Sequence, residues 1–501
     1  MNNPFFHGNP ATPAQFLDRR KELRRVAGRL VNQGQSSAVV GEPRTGKTSM
    51  LEYLAAPETR CQLYGAGVEG LLFAYVDAQT LGAQFGQAQF WEHALQPLEE
   101  QVIAPGRDAA LNQAYAVCRQ NGFGAFVLER LLVQMARAGY RLVLLLDEFD
   151  TLLHHPALNR AEFFGSLRSL ASRTRGLALV IASRSPLDRL NRDTQELSRT
   201  GSPFFNIFAE INLGPWPDSA VEEFLDLGRG RFTANDRRFL REAAGAHPYL
   251  LQVAASALWE AYDDPEGDRG QRRRQAAQDL NDEAGRVLGE IWSLWGPGQR
   301  RAFLVVGLAH LRSPGAGGPD GGRGRPSSSA VRGLLRDAFT DKELRRFCQD
   351  HPLLAPVDAR FGSSWSLEDM IGVLLEYCQK QLLLPELLRG VREHNPRQYE
   401  RYEVRPAPER GEAAGAEVDL RLLSRQGFVM EDASMAGGWR VRPLAFLWWL
   451  GGELRHIAAA PGACAAWLHA QGLDGLLTPH EEELLAGALQ AAGGPGEGAT
   501  A

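Results

Sequence analysis

Residues 41–48 read Gly41-Glu42-Pro43-Arg44-Thr45-Gly46-Lys47-Thr48, which fits the pattern G-x-x-x-x-G-K-[S/T]. The four residues before them, 37–40, are Ser-Ala-Val-Val, a short apolar run that predicts a buried strand. Residues 46–55 carry apolar side chains at helical spacing. A strand that turns through glycines into a helix aims successive backbone N–H groups at one point, and the helix N-terminus adds partial positive charge there. The stretch therefore predicts a polyphosphate site. Gly41 and Gly46 permit a backbone that a Cβ would obstruct. Lys47 is expected to reach the β- and γ-phosphates and Thr48 to ligate Mg²⁺, with Glu42, Pro43, Arg44, Thr45 and Ser49 completing the nucleotide-binding set.

The basic composition sharpens this reading. Lys21, Lys47, Lys342 and Lys380 are the four lysines among 55 basic residues, so arginine fills almost every cationic position. A lysine at 47 marks a place where a compact ammonium serves and a forked guanidinium does not.

Working outward, residues 71–76, 142–146 and 177–182 are further buried-strand candidates, and 142–146 is apolar throughout, as a parallel strand covered on both faces should be. Residues 85–102 and 123–138 read as intervening helices. Strands alternating with helices predict an α/β core with a parallel, doubly wound sheet. The 142–146 strand delivers Asp147 and Glu148 to its C-terminal edge, where such sheets bind ligands. Asp147 is the expected second Mg²⁺ residue, and Glu148 the residue that orients or activates the attacking water. The 177–182 strand leads to Ser183-Arg184, and Arg184 could touch a γ-phosphate. His154 and His155 lie nearby, but adjacent residues do not share a helix face, so no metal site is expected of them.

Beyond residue 213 the strand signal fades. Helices are expected over 218–227 and 235–262, the latter broken near His247-Pro248, and residues 263–275 read as an exposed connection. A helix over 298–311 precedes residues 313–326, where nine of fourteen residues are Gly or Pro. That composition makes a linker with a coil reach of roughly 20 Å. Residues 405–416 form a second loose segment. Between them, 327–403 predicts a small helical bundle, with capping-box pairs Thr340/Glu343 and Ser366/Asp369, Pro385 in the first turn of a fourth helix, and Asn395-Pro396 to stop it. Val331, Leu334, Leu335, Phe339, Leu344, Phe347, Met370, Ile371, Leu374, Leu375, Leu387, Leu388 and Val391 are its expected core. Residues 418–426 read as a helix, 428–430 and 439–441 as a hairpin, and 444–454 as a helix. Helix, helix and hairpin outline a winged helix split by the bundle.

With these features the chain resembles the STAND class of signalling ATPases, relatives of AAA+ proteins, in their prokaryotic AAA-like branch. Phe16-Leu17-Asp18-Arg19-Arg20-Lys21-Glu22-Leu23 resembles the family's hydrophobic-hydrophobic-Gly-Arg-Glu motif, with Asp18 in place of glycine and Glu22 three residues after Arg19. The resemblance implies that Arg19 lies at the adenine. Ala182-Ser183-Arg184 resembles the family's sensor strand, which implies a catalytic, γ-phosphate-reading role for Arg184 beside Lys47 and Glu148. The stretch from Asn206-Ile207-Phe208 to Leu213-Gly214-Pro215 resembles the entry into a helical lid. Gly245-Ala246-His247-Pro248 is similar to the lid's G-x-P motif with one extra residue, implying nucleotide contact by His247 and Pro248. The bundle, from Val331-Arg332 through Phe347-Cys348 and on over 370–392, resembles a bacterial effector-associated, death-like adaptor domain.

The expected organisation is a P-loop NTPase core over 1–213, a helical lid over 214–285, the first part of a winged helix over 286–312, a linker over 313–326, and the inserted all-α bundle over 327–404. A second linker follows over 405–416, then the rest of the winged helix with C-terminal helices over 417–480, and a disordered tail over 493–501. The resemblance implies a slowly hydrolysing ATPase switch that uses ATP/ADP and Mg²⁺, assembles as a homo-oligomer on activation and recruits an effector protein carrying a similar adaptor domain. The alternative is a DNA-binding AAA+-like ATPase of the origin-recognition or regulator type, acting through the winged helix.

The formal net charge of −5 offers no global attraction to nucleic acid or anionic lipid. The helix at 418–426 sets Asp419 and nearby Glu417 against Arg421 and Arg425, so DNA is not expected as a partner. Cys61, Cys118, Cys348, Cys378 and Cys464 are scattered, which suggests free thiols rather than a disulfide framework or zinc site. No secretory signal and no membrane span are expected, and the protein is expected to be cytoplasmic.

Overall fold

The computed structural model describes residues 2–104, 108–194, 204–263, 268–312, 328–351, 354–358, 360–362, 365–380, 383–402, 413–432, 435, 438–459 and 463–492. The chain divides into two compact units. The first comprises residues 1–232, 246–256 and 289–294, the second 233–245, 257–288 and 295–501.

The first unit is built on a five-stranded parallel sheet. Its strands are β1 (Ser37–Val40), β2 (Leu71–Asp77), β3 (Arg141–Asp147), β4 (Leu177–Ser183) and β5 (Ala209–Asn212), in the order β2-β3-β4-β1-β5. Successive side chains point to opposite faces, and both faces are covered, which is why these strands read as continuous apolar runs. Leu142, Leu144 and Leu146 enter one core with Leu177, Leu179 and Ile181, against helices that include Gln87–Ala94, Ala125–Arg137 and Ala161–Arg173. Val143, Leu145, Val180 and Val39 enter the opposite core, against the helices Arg20–Asn32 and Lys47–Ala55. Each fully buried Leu or Val contributes about 1.5–3 kcal/mol.

Register fixes where the strands end. Val40 pairs with Ser183 and Asn212, and Asp77 with Asp147. The residues that follow β1, β3 and β4 therefore emerge along one rim. The chain leaves β1 for one side of the sheet and later crosses to β5 on the other, so β1 sits at the topological switch point. The N-terminal segment packs onto the same unit, with Phe5 5.1 Å from Phe224 and 5.4 Å from Phe232 between ring centroids.

In the second unit, helices Pro297–Arg312 and Ala413–Gln426 pack together, although residues 313–412 separate them in sequence. Trp295, Phe303, Phe428 and Phe446 form one aromatic cluster, with Phe303 4.5 Å from Phe446 between centroids. The hairpin β6 (Val429–Glu431) and β7 (Trp439–Val441) is antiparallel, and the Val441 amide donates to His310 Nδ1 at 3.3 Å. The bundle has its own core, and every residue expected there is buried in it, joined by Cys348 and Cys378. Thr340 and Glu343 close their capping box, with the Thr340 amide 2.8 Å from Glu343 Oε2. Ser366 Oγ donates to Asp369 Oδ2 at 2.6 Å.

Several expectations need correction. The helix over 85–102 is two, Gln87–Ala94 and Gln96–Gln101, because Pro97 has no N–H to continue the ladder and sits in the first turn of the second. The stretch 235–262 is broken where expected, into helices Ala234–Ala244 and Pro248–Ala261, with Gly245 at φ +63° ending the first. The expected connection over 263–275 becomes helix Arg269–Leu294, capped by Asp268, whose Oδ1 accepts from the Gln271 amide at 2.8 Å. A first turn lacking apolar residues hid it, and the expected boundary at 285/286 falls inside it. Helix Ala413–Gln426 begins before 418, and helix Leu444–Ala458 outlasts 454. Strand β5 was not anticipated as a strand. Pro396 stops helix Leu384–His394 as expected but also opens a short helix, Pro396–Tyr402. The linker 313–326, residues 405–412 of the second linker and the tail 493–501 lie outside the described residues.

Candidate phosphate-binding site

The glycine turn leaves β1 at the sheet rim and opens helix Lys47–Ala55. A Cβ on Gly41 would lie 2.7 Å from the Leu213 carbonyl oxygen and 2.7 Å from Thr45 Oγ1, so only glycine fits. Gly46 is the helix N-cap at φ +94°, and Arg44 also takes a left-handed backbone at φ +62°. Thr45 Oγ1 donates to the Glu42 carbonyl at 2.9 Å, tightening the turn. The Lys47 ammonium is buried and donates to the carbonyls of Gly41 and Glu42, 2.9 Å each. Burial pushes its pKa down, while Glu148, Asp150 and Glu42 oppose and Arg184 adds to the shift. Those residues therefore lie within electrostatic reach of the ammonium. Thr48 is half-buried, Pro43 and Ser49 are buried, and Ser49 Oγ accepts from the Ala11 amide at 2.9 Å. Arg44 points outward, donating to the Gly8 carbonyl at 3.0 Å and lying over the Tyr249 ring.

Asp147 ends β3 and is buried, accepting from Tyr75 Oη at 2.7 Å through Oδ2 and from the Glu148 amide at 2.9 Å through Oδ1. Burial and then this bond raise the Tyr75 phenol. Glu148 holds a left-handed backbone at φ +48°, which costs about 1 kcal/mol in a residue with a Cβ. Arg184 meets it there: Nε and Nη2 lie 3.0 and 2.9 Å from Glu148 Oε2, and Nη1 lies 2.5 Å from Glu290 Oε1. Burial alone would lower the guanidinium; the two carboxylates outweigh it and raise it. Asp150 fixes the backbone beneath, accepting from the Arg184 amide at 2.8 Å and from Ser183 Oγ at 3.0 Å.

Arg19 and His247 close the other side. Asp18 and Arg19 sit at φ +55° and +62°, two consecutive left-handed residues that turn the chain into the Arg20–Asn32 helix. Arg19 is buried and Nη2 donates to the Gly214 carbonyl at 2.5 Å, with Glu22 4.0 Å away. The Trp216 amide donates to the Ala246 carbonyl at 2.8 Å and so ties the helix break before Pro248 to the stretch after β5. His247 is buried at the Pro43 backbone, and its pKa falls to about 4, chiefly through burial, with Lys47 and Arg19 adding to the fall. Pro248 opens the following helix.

The site residues expected from the sequence therefore all belong to the first unit. Tyr75, Asp150 and Glu290 were missed. Asp150 was within reach of inspection, two residues past Glu148, whereas Glu290 gives no local signal. His155 has a structural role, its Nδ1 accepting from the Ala157 and Leu158 amides at 3.2 Å each. Among the described residues no group of three or more His, Cys, Asp or Glu could cage a metal. The Thr48 hydroxyl and the Asp147 carboxylate instead offer a sparse set of hard oxygen donors. That set suits Mg²⁺, which fills most of its positions with phosphate and water. No helix among the described residues is long and apolar enough to cross a membrane.

Residues 331–396 match the family model of effector-associated domain 7. No relative was found among curated proteins. Among solved structures the chain is similar to a Walker-type ATPase of Pyrococcus abyssi, at 14% identity over 88% of this chain and 98% of that one, with a TM-score of 0.43. It is also similar to the ORC2 protein of Aeropyrum pernix in ADPNP–ADP complexes, at 13% identity over 96% of each chain and TM-score 0.40. A third is Cdc6p from Pyrobaculum aerophilum, at 14% identity over 89% of this chain and 97% of that one, TM-score 0.36. The chain thus joins a P-loop α/β core to an effector-associated domain.

Proposed function

We propose that the protein is an ATP-binding, slowly hydrolysing switch of the STAND kind that recruits an effector through its adaptor bundle. One observation carries this reading: a phosphate loop at the switch point of a parallel sheet and an effector-associated domain occupy one chain. The loop's N–H groups would hold the β-phosphate, and Lys47 would exchange its two carbonyl partners for β- and γ-phosphate oxygens. Thr48 and Asp147 would hold Mg²⁺, which supplies charge compensation to the phosphates. Glu148 would orient the attacking water, and Arg184 would read the γ-phosphate. Arg19, His247 and Pro248 would border the nucleotide from the opposite side.

ATP and ADP must bind the active and resting conformations with different affinity for the site to act as a switch. The bundle, clustered in a homo-oligomer on activation, would then pair with a similar domain on an effector protein. The test uses the full chain. Glu148→Gln is expected to retain ATP binding, to lose hydrolysis, and to capture a protein bearing an effector-associated domain with ATP but not with ADP. Unchanged turnover would remove Glu148 from this role, and nucleotide-independent capture would remove the switch.

A second reading is a DNA-binding ATPase of the origin-recognition type. Helix Ala413–Gln426 leads directly into the β6–β7 hairpin, the order a winged DNA-binding module uses, and exposes Arg421 and Arg425. Arg421 is held by Glu417 at 2.5 Å. The expectation that DNA is not a partner gains no support from the fold, and a salt-dependent gel shift with duplex DNA tests this reading.

A further inference from the structure

The phosphate chemistry described above has no use for Glu290. It lies in the last two turns of helix Arg269–Leu294, in the part of that helix that belongs to the sheet-bearing unit. Yet it takes one branch of the guanidinium expected to read the γ-phosphate, Arg184 Nη1 to Glu290 Oε1 at 2.5 Å. The same helix end is held a second time, by Arg189 Nη1 donating to the Leu294 carbonyl at 2.9 Å. Both arginines follow β4.

The two ends of Arg184 differ in freedom. Its amide is pinned by Asp150 at 2.8 Å, so the backbone position is set by the sheet. Its side chain is 29% exposed, and its partners Glu148 and Glu290 are 22% and 37% exposed. Ion pairs this open are weakly held and exchange readily for a better partner. A terminal phosphate is such a partner, with more charge than a carboxylate and geometry suited to a forked donor. Lys47, which would carry the polyphosphate, lies within electrostatic reach of both Arg184 and Glu148.

We propose that Glu290 is a competitor for the γ-phosphate, so that Arg184 works as a two-position latch. Without a γ-phosphate the guanidinium ties Glu148 to the end of the Arg269–Leu294 helix. With one, Nη1 exchanges Glu290 for a phosphate oxygen, and the helix end loses its tie to Arg184. Glu290 then sets how strongly the site prefers ATP to ADP, because ADP has nothing to exchange. The inference rests on the nucleotide-site reading of the preceding section.

The test compares affinities of the full chain for Mg-ADP and for a non-hydrolysable Mg-ATP analogue, in wild type, Glu290→Gln, Arg184→Ala and the double variant. Glu290→Gln is expected to tighten the analogue by about two- to fivefold and to leave ADP unchanged. In the Arg184→Ala background the same substitution is expected to change neither. Hydrogen exchange supplies a second readout that needs no variant: amides of residues 289–294 are expected to exchange faster with the analogue than with ADP. An unchanged analogue-to-ADP ratio in Glu290→Gln, a shift that persists without Arg184, or equal exchange in both nucleotide states overturns the latch and leaves the nucleotide site standing. A wild-type chain that binds neither nucleotide overturns both.

Discussion

Lys47 is the one lysine in the rim residues, and its burial shows why arginine does not replace it. The ammonium is enclosed by its own loop, with carbonyls of Gly41 and Glu42 at 2.9 Å, a setting that suits a compact ammonium better than a forked guanidinium. Asp18 takes φ +55°, a left-handed backbone in which a short polar side chain is among the least penalised. Asp150 is the residue whose role sequence reading passed over. Its two oxygens accept from Ser183 Oγ and the Arg184 amide, and so hold the end of β4 to the segment after β3. Asp150→Ala would leave both donors without that acceptor. The expected loss is about 1–3 kcal/mol in urea unfolding of the first unit, together with weaker binding of an ATP analogue. A variant as stable as wild type would show that water replaces the carboxylate and that Asp150 positions nothing.

At the scale of elements, the central strands were legible because parallel strands covered on both faces must be apolar at every position, as Leu142 to Leu146 are. The rim carboxylates followed from that run. β5 was not legible, since it is a short edge strand whose Ala209, Glu210 and Asn212 face less apolar surroundings. Helix Arg269–Leu294 was hidden for a different reason: its opening turns carry arginines and glutamines, and its apolar residues begin only at Ala276. In the bundle, local capping signals and apolar spacing agree, and the helices stand where those signals put them. Thr340→Ala breaks the box with Glu343 and is expected to destabilise the bundle by about 1 kcal/mol, read by thermal unfolding of the fragment 328–402. A fragment without helical circular dichroism would contradict the independent core described for it.

At the scale of the whole molecule, residues 295–312 and 413–458 build one packed body around Trp295, Phe303, Phe428 and Phe446. The bundle at 328–402 can intervene in sequence because loop-closure entropy grows only slowly with length. Each unit also buries an imidazole held neutral. His247 in the first and His310 in the second have pKa values lowered from 6.5 to about 4, chiefly by burial. The unfolded chain takes up these protons first, so the stability they contribute is present above pH 6.5 and is lost as pH falls toward 4. Urea unfolding is expected to show the decline between about pH 6.5 and about pH 4, and His310→Gln to reduce it in the second unit; a flat profile would contradict the burial of both rings. The candidate site was legible where a contiguous motif carries it, at residues 41–48 and 147–148. It was silent where a contact spans the sequence, as between Arg184 and Glu290, because no local pattern encodes such a pair. Nucleotide binding by the glycine turn is the claim on which the functional account stands. Calorimetric titration of the full chain with Mg-ATP and Mg-ADP tests it most directly: wild type is expected to bind both, and Lys47→Ala to weaken both by about a hundredfold or more. Absence of heat from wild type, or equal affinity in Lys47→Ala, would contradict it.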